Sequence, residues 1–163
     1  MMHRKKNDIY KAFPYLVSFS LPLSVPLGLY LGGLYTFLTL FLGYLLLPIL
    51  DMIIGKSNTT ETKNYNKNFF NFLKLLTWLA FPTQLLVIVF CLLYISFNQL
   101  TYFEYLGLFI SAGISSGAFG ITAAHELIHQ RKFERTLSRF TLFTVCYPHF
   151  CIEHVHGHHI NVA

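Results

Sequence analysis

Two groups of histidines hold most of the chemistry this sequence could perform. The stretch HELIH sets His125 and His129 four residues apart. On a helix that spacing puts both imidazoles on one face. EHVHGHH, from Glu153 to His159, repeats the spacing with His154 and His158, and His159 follows directly. Gly157 allows the backbone to relax and turn His159 toward the pair. His156 faces away from His154 on a helix and is set aside. His149 lies outside both groups, where an interfacial or hydrogen-bonded role fits it, and His3 belongs to a solvated head. A lone buried histidine is usually a hydrogen-bonded core residue. Two pairs at ligand spacing, beside long apolar runs, point to a metal, because ionisable groups near membrane depth are expensive and are kept for function.

The type of metal stays open on ligand chemistry alone. HELIH matches HExxH, in which two histidines bind zinc and the glutamate activates water. That reading makes the protein a membrane zinc metalloprotease with Glu126 as its base. A catalytic zinc site needs only three protein ligands, whereas His125, His129, His154, His158 and His159 offer five. The surplus favours a two-metal site, and imidazole suits iron as well as zinc. Glu126 and Glu153 are candidates to orient the imidazoles through hydrogen bonds.

The elements that position these residues are membrane helices. Of 163 residues, 54% are hydrophobic and 12% charged, about half the charge of a soluble domain. A membrane helix needs roughly 20 apolar residues. Phe13 to Leu50 is about twice that, with Gly32-Gly33 as the turn inside it. We expect four spans, near 13–31, 34–53, 69–97 and 102–124, the first kinked by Pro22 and Pro26. The polar stretch GKSNTTETKNYNKN separates the second from the third. Phe140 to Ile152 is apolar but too short to cross, which leaves both histidine groups on one face. Gly113 and Gly117 form a small-xxx-small pair, read first as a helix-packing face and second as room for a substrate channel. Cys91, Cys146 and Cys151 form no CxxC motif and are read as packing residues. The first apolar stretch is too long for a cleavable signal peptide.

Charge sets the orientation. The Lys and Arg residues fall in three places: Arg4 to Lys11, Lys56 to Lys74, and Arg131 to Arg139. With four spans and a cytoplasmic N-terminus, all of them are cytoplasmic, as the positive-inside rule demands. The net charge of +5 is thus explained by topology and by anionic lipid headgroups, without nucleic acid.

HELIHQ followed by EHVHGHHINVA resembles the first two histidine boxes of bacterial membrane alkane and xylene monooxygenases, within the fatty-acid desaturase and hydroxylase superfamily. PILDMIIG, with Asp51 and Gly55, resembles the same branch more weakly. The resemblance implies a non-haem di-iron centre ligated by His125, His129, His154, His158 and His159. It implies O2 as co-substrate, a lipophilic substrate hydroxylated at a terminal C–H, and a rubredoxin or ferredoxin-type electron donor. The location implied is the bacterial inner membrane, with the N-terminus and boxes cytoplasmic. The family's third histidine box is absent from these residues. The expectation is therefore an all-α membrane protein, one incomplete domain over 1–163 that is truncated and inactive alone. A lipid desaturase or hydroxylase is the alternative within the superfamily, and the zinc protease the alternative outside it.

Overall fold

The computed structural model describes residues 8–54 and 67–154. Among these the chain is helical, without strands. The first helix, α1, comprises Tyr15–Leu31. It starts as a tight 3-10 helix and relaxes to α-helix at Ser20. Pro22 falls in the first α-helical turn and Pro26 inside the helix. Helix α2, Gly33–Ile53, α3, Lys67–Phe97, and α4, Tyr102–Ile128, are long and apolar enough to cross a membrane. Three helices therefore meet the length criterion where four were expected, since α1 is a shorter apolar helix.

Gly32 and Gly33 do form the turn between α1 and α2, with φ of 71° and 55°, a conformation open to glycine at little cost. The Gly33 N–H donates to Glu104 Oε1 at 2.7 Å. Glu104 also closes a capping box with Thr101 at the start of α4. One carboxylate thus ties the α1–α2 turn to the α3–α4 turn at the end of the bundle away from the histidines. Its sequence signal is TYFE, a T-x-x-E capping pattern.

Helix α1 packs against α2, α3 and α4, and Val25, Leu29, Val87 and Leu108 form the core there. Hydrogen bonds between helices add to it, as expected where no water competes. Ser24 meets Thr39 at 2.7 Å, and Ser111 donates to the Thr36 carbonyl at 2.6 Å. The closest helix contacts use glycines outside the Gly113–Gly117 pair. A Cβ on Gly28 or Gly107 would overlap α2 atoms at 2.2 and 2.1 Å, whereas Gly113 and Gly117 have nothing within 4 Å. That pair lines a cavity of about 470 Å³ between α4, α1 and α2, so its packing role is not observed among the described residues.

Candidate metal centre

Helix α4 runs through the first histidine box. His125 lies in its last full turn and His129 at its C-cap. The interior of α4 widens to a π-helical turn at Ser116–Ile121 before regaining α geometry at Thr122. The chain turns at Gln130, and α5, Lys132–Thr144, packs back along the end of α4. Ser138 Oγ donates to the Ala124 carbonyl at 2.7 Å, buried. Arg135 Nε donates to the Ile128 carbonyl at 3.3 Å, satisfying an orphan acceptor at the helix end. Both bonds fix backbone adjacent to a histidine.

A Schellman motif then reverses the chain. Tyr147 N–H donates to the Leu142 carbonyl at 2.9 Å and Cys146 N–H to the Phe143 carbonyl at 3.1 Å. Cys146 carries the left-handed φ of 56° that glycine normally supplies, and Pro148 follows. The short helix α6, Phe150–Ile152, leads into Glu153 and His154. Ala124, Ile128, Leu142 and Cys151 pack into one buried cluster, the brace that holds α6 against α4. The apolar stretch Phe140 to Ile152 therefore does not cross. It folds back, and the two histidine groups share one end of the bundle.

Cys146 allows a direct test. A non-glycine residue in the left-handed region costs roughly 1–2 kcal/mol. Glycine there gives back about 0.5–1 kcal/mol through the greater freedom of the unfolded chain. Cys146→Gly should therefore raise stability by about 0.5–1 kcal/mol, read as the unfolding midpoint in lipid–detergent micelles. The thiol is exposed, so little packing is lost. A clear drop in stability would show that the geometry at this turn is misjudged.

Three imidazoles converge. His125 Nε2 lies 2.9 Å from His154 Nε2, and His129 Nε2 lies 3.1 Å from it. All three ligand atoms fall within 4.8 Å of one another, with His125 and His154 half-buried and His129 exposed. With metal–nitrogen bonds of about 2.1 Å, ligands at right angles would be about 3.0 Å apart and tetrahedral ones about 3.4 Å. The two short separations fit adjacent ligands of one ion. Phe150 stacks on His154 with ring planes 19° apart, which holds that ring in place. His158 and His159 lie outside the described residues, as do His156 and Gly157.

The two glutamates are placed differently from the expectation. Glu153 is exposed and approaches His149 Nε2 at 3.9 Å, not a ring of the triad. His149 also packs edge-on to Tyr147. Glu126 is exposed and lines a cavity of about 680 Å³ between the start of α1, α3 and α4, whose walls include Tyr15, Leu76, Thr77 and Phe119 but none of the three histidines. Neither carboxylate contributes to the histidine cluster.

Basic residues gather at this end too. Lys74 on α3 pairs with Glu134 on α5, and its ammonium lies over the Trp78 ring. The Lys74 ammonium beside Glu134, as hydrogen-bond donor, holds that carboxyl below the usual carboxylate value. Trp78 and Phe133 meet edge to face at 5.5 Å. These contacts anchor α5 to α3 beside the triad.

Fold and site together define a helical membrane protein that carries a histidine triad suited to a metal ion. Comparison with known proteins narrows this. No protein-family model matches the chain. Alkane 1-monooxygenase 1 of Alcanivorax borkumensis is 32% identical over 157 residues, which is 91% of this chain and 39% of that protein. Alkane 1-monooxygenase of Pseudomonas putida is 29% identical over 161 residues, 94% of this chain and 40% of that protein. Alkane 1-monooxygenase 1 of Pseudomonas aeruginosa is 33% identical over 121 residues, 71% of this chain. By sequence the chain falls in the alkane monooxygenase family, and it spans about two-fifths of the length of the curated relatives it matches along most of its own.

Proposed function

We propose that this chain supplies the first part of the metal site of a membrane alkane monooxygenase, which hydroxylates a terminal C–H of an alkane or related lipophilic substrate with O2. The reading is supported above all by one conjunction. Histidines from two separate motifs converge at a single point, in a chain that aligns with alkane 1-monooxygenases over nine-tenths of its length. The ligands proposed are His125, His129 and His154, with His158 and His159 from the same box. Two histidine-ligated iron ions would supply the oxidising power that side chains lack.

The chain's own residues have definable tasks. The α4–α5–α6 brace orders the imidazoles before metal arrives, which reduces the ordering that binding must impose. Phe150 covers one face of His154 and limits water there. The apolar outer surface of the helices keeps a lipophilic substrate in the phase from which it would enter. The cavity beside Gly113 and Gly117 gives such a substrate space next to α4. The basic residues of α3 and α5 lie at the histidine end, so a cytoplasmic, inner-membrane placement of that end is the orientation we propose. A rubredoxin or ferredoxin-type donor would then reach the site from the cytoplasm.

The test has two arms. The chain, reconstituted in lipid nanodiscs and loaded anaerobically with ferrous iron, should give an iron absorption-edge spectrum with a mainly nitrogen ligand sphere. A chimera in which this chain replaces the aligned segment of the Pseudomonas putida relative should convert n-octane to 1-octanol only with O2 and reductant. Glu126→Gln in that chimera should cost less than the roughly 10–100-fold seen for a partner bonded to a ligand, because Glu126 lines a cavity that none of the three histidines borders. In a zinc protease the same change would abolish peptide hydrolysis and leave the metal bound. Peptide cleavage that Glu126→Gln removes would overturn the oxygenase reading.

A further inference from the structure

Helix α5 turns back beside α4 and descends along it. Arg135 meets the Ile128 carbonyl, Ser138 meets the Ala124 carbonyl, and a Cβ on Gly120 would lie 3.0 Å from Val145 Cγ1. From Ile128 to Gly120 is about 12 Å along α4. Tyr102 to Ala124 measures about 33 Å on the same scale, close to the roughly 30 Å of a bilayer's hydrocarbon core. Ala124 therefore sits at the edge of that core, and the α5–α6 hairpin dips past it. Arg139, next to Ser138, stands at the edge itself.

Two stripes run along the outside of α5. Lys132, Arg135 and Arg139 form one, and Phe133, Phe140 and Phe143 the other, each at helical spacing. Phe140 and Phe143 are 56% and 72% exposed. The one acid of α5, Glu134, is buried and paired with Lys74, so the outer face of this helix carries only positive charge. Arg139 has no hydrogen bond or ion pair among the described residues. It opens onto a groove of about 530 Å³ between α5 and α6, walled by Phe140, Phe143, Pro148, Cys151 and Ile152. Ile152 is 64% exposed. A guanidinium at the hydrocarbon edge calls for an anion, because ionised groups there are expensive unless paired. The wall beside it calls for hydrocarbon.

We propose that this groove binds one anionic phospholipid of the surrounding bilayer. Its phosphate sits on the Arg139 guanidinium as a charge-assisted pair, and an acyl chain lies along Phe140, Phe143 and Ile152. At roughly 30 Å³ per heavy atom, the groove holds the phosphate, the glycerol and the first carbons of a chain. A soluble phosphate would leave the apolar wall wet, and the phosphate of a zwitterionic lipid brings its own cation. The bound lipid touches both α5 and α6. It closes the hairpin from outside, beyond the buried cluster of Ala124, Ile128, Leu142 and Cys151. Occupancy therefore slows the opening of α6, the segment that leads into His154.

The Ile152 and Glu153 amides bond the His149 carbonyl at 2.9 and 3.1 Å, so their hydrogen exchange reports that opening. The full metal-free chain is placed in nanodiscs of phosphatidylcholine alone, or of equal parts phosphatidylcholine and phosphatidylglycerol. One basic residue at an anionic surface corresponds to about 5-fold in affinity. In the anionic discs, exchange should therefore be about 5-fold slower in the parent than in Arg139→Gln. In the neutral discs the two should match. Lys132→Gln removes the same charge outside the groove and should behave as the parent. Comparing variants within one disc cancels the surface pH, which anionic lipid lowers for all of them. Glycerol 3-phosphate added to the neutral discs should slow nothing. Slowing by that soluble phosphate would show an ion site rather than a lipid site. Equal exchange in the parent and Arg139→Gln would show a groove indifferent to headgroups. An equal loss in Lys132→Gln and Arg139→Gln would show attraction to surface charge in general. Any of the three overturns the proposal. No metal or turnover enters the measurement, so its failure is distinct from failure of the oxygenase reading.

Discussion

His154→Ala should cost the protein its metal, with affinity for ferrous iron falling by well over the ~100-fold upper range seen when only an outer partner of a ligand is lost. His154 is the residue that closes the triad. Its Nε2 is the atom approached by both His125 and His129, at 2.9 and 3.1 Å. Without it α4 offers two ligands one helical turn apart, one of them at the exposed helix end. The measurement is an anaerobic titration against a competing chelator, with helicity followed in parallel to show that the bundle persists. His149→Ala provides the contrast. That ring lies five residues earlier, is exposed, and has Glu153 and Tyr147 as its neighbours. It should leave affinity essentially unchanged. Equal losses from His149→Ala and His154→Ala would mean that the cluster acts through general polarity rather than ligation. The same titration extends to residues outside the described part. His158→Ala should resemble His154→Ala, and His156→Ala should be mild.

Helix periodicity and hydrophobic length were enough to read the fold class, the Gly32-Gly33 turn and the return of Phe140 to Ile152 to the same face. They placed the first apolar helix near 13–31, where the structure has α1, Tyr15–Leu31, shorter than the other three. They misjudged the packing glycines. Small-xxx-small marks a smooth helix face, but what approaches that face depends on the other helices. Gly28 and Gly107 meet α2 closely, and neither belongs to the pair singled out. The i,i+4 rule found His125 and His129, and the repeated box found His154. What no spacing could give was the route between them: the Ser138 bond to Ala124 and the Schellman turn with a cysteine at its left-handed position. Each joins residues distant in sequence or departs from the usual residue for its geometry.

Leu142→Ala tests that route without touching a ligand. Leu142 is 0% exposed and packs in the cluster with Ala124, Ile128 and Cys151. Its carbonyl receives the Tyr147 N–H that closes the Schellman turn. Truncating a fully buried leucine costs about 2–5 kcal/mol, depending on how far the surroundings collapse. Here collapse is hindered, because α5 is pinned to α4 by the Ser138 bond and to α3 by Lys74 and Glu134. The stability loss should therefore fall in the upper half of that range for unfolding of the α5–α6 segment, read by hydrogen exchange at Cys151 to Glu153. Metal affinity should fall with it, because every complex must first re-form the brace that brings His154 to α4. Leu142→Met, which keeps the volume, should restore both. The two effects must move together. If Leu142→Ala loosened α6 yet bound iron as tightly as the parent protein, the metal itself would be drawing His154 to α4, and the apolar brace would have no part in preparing the site.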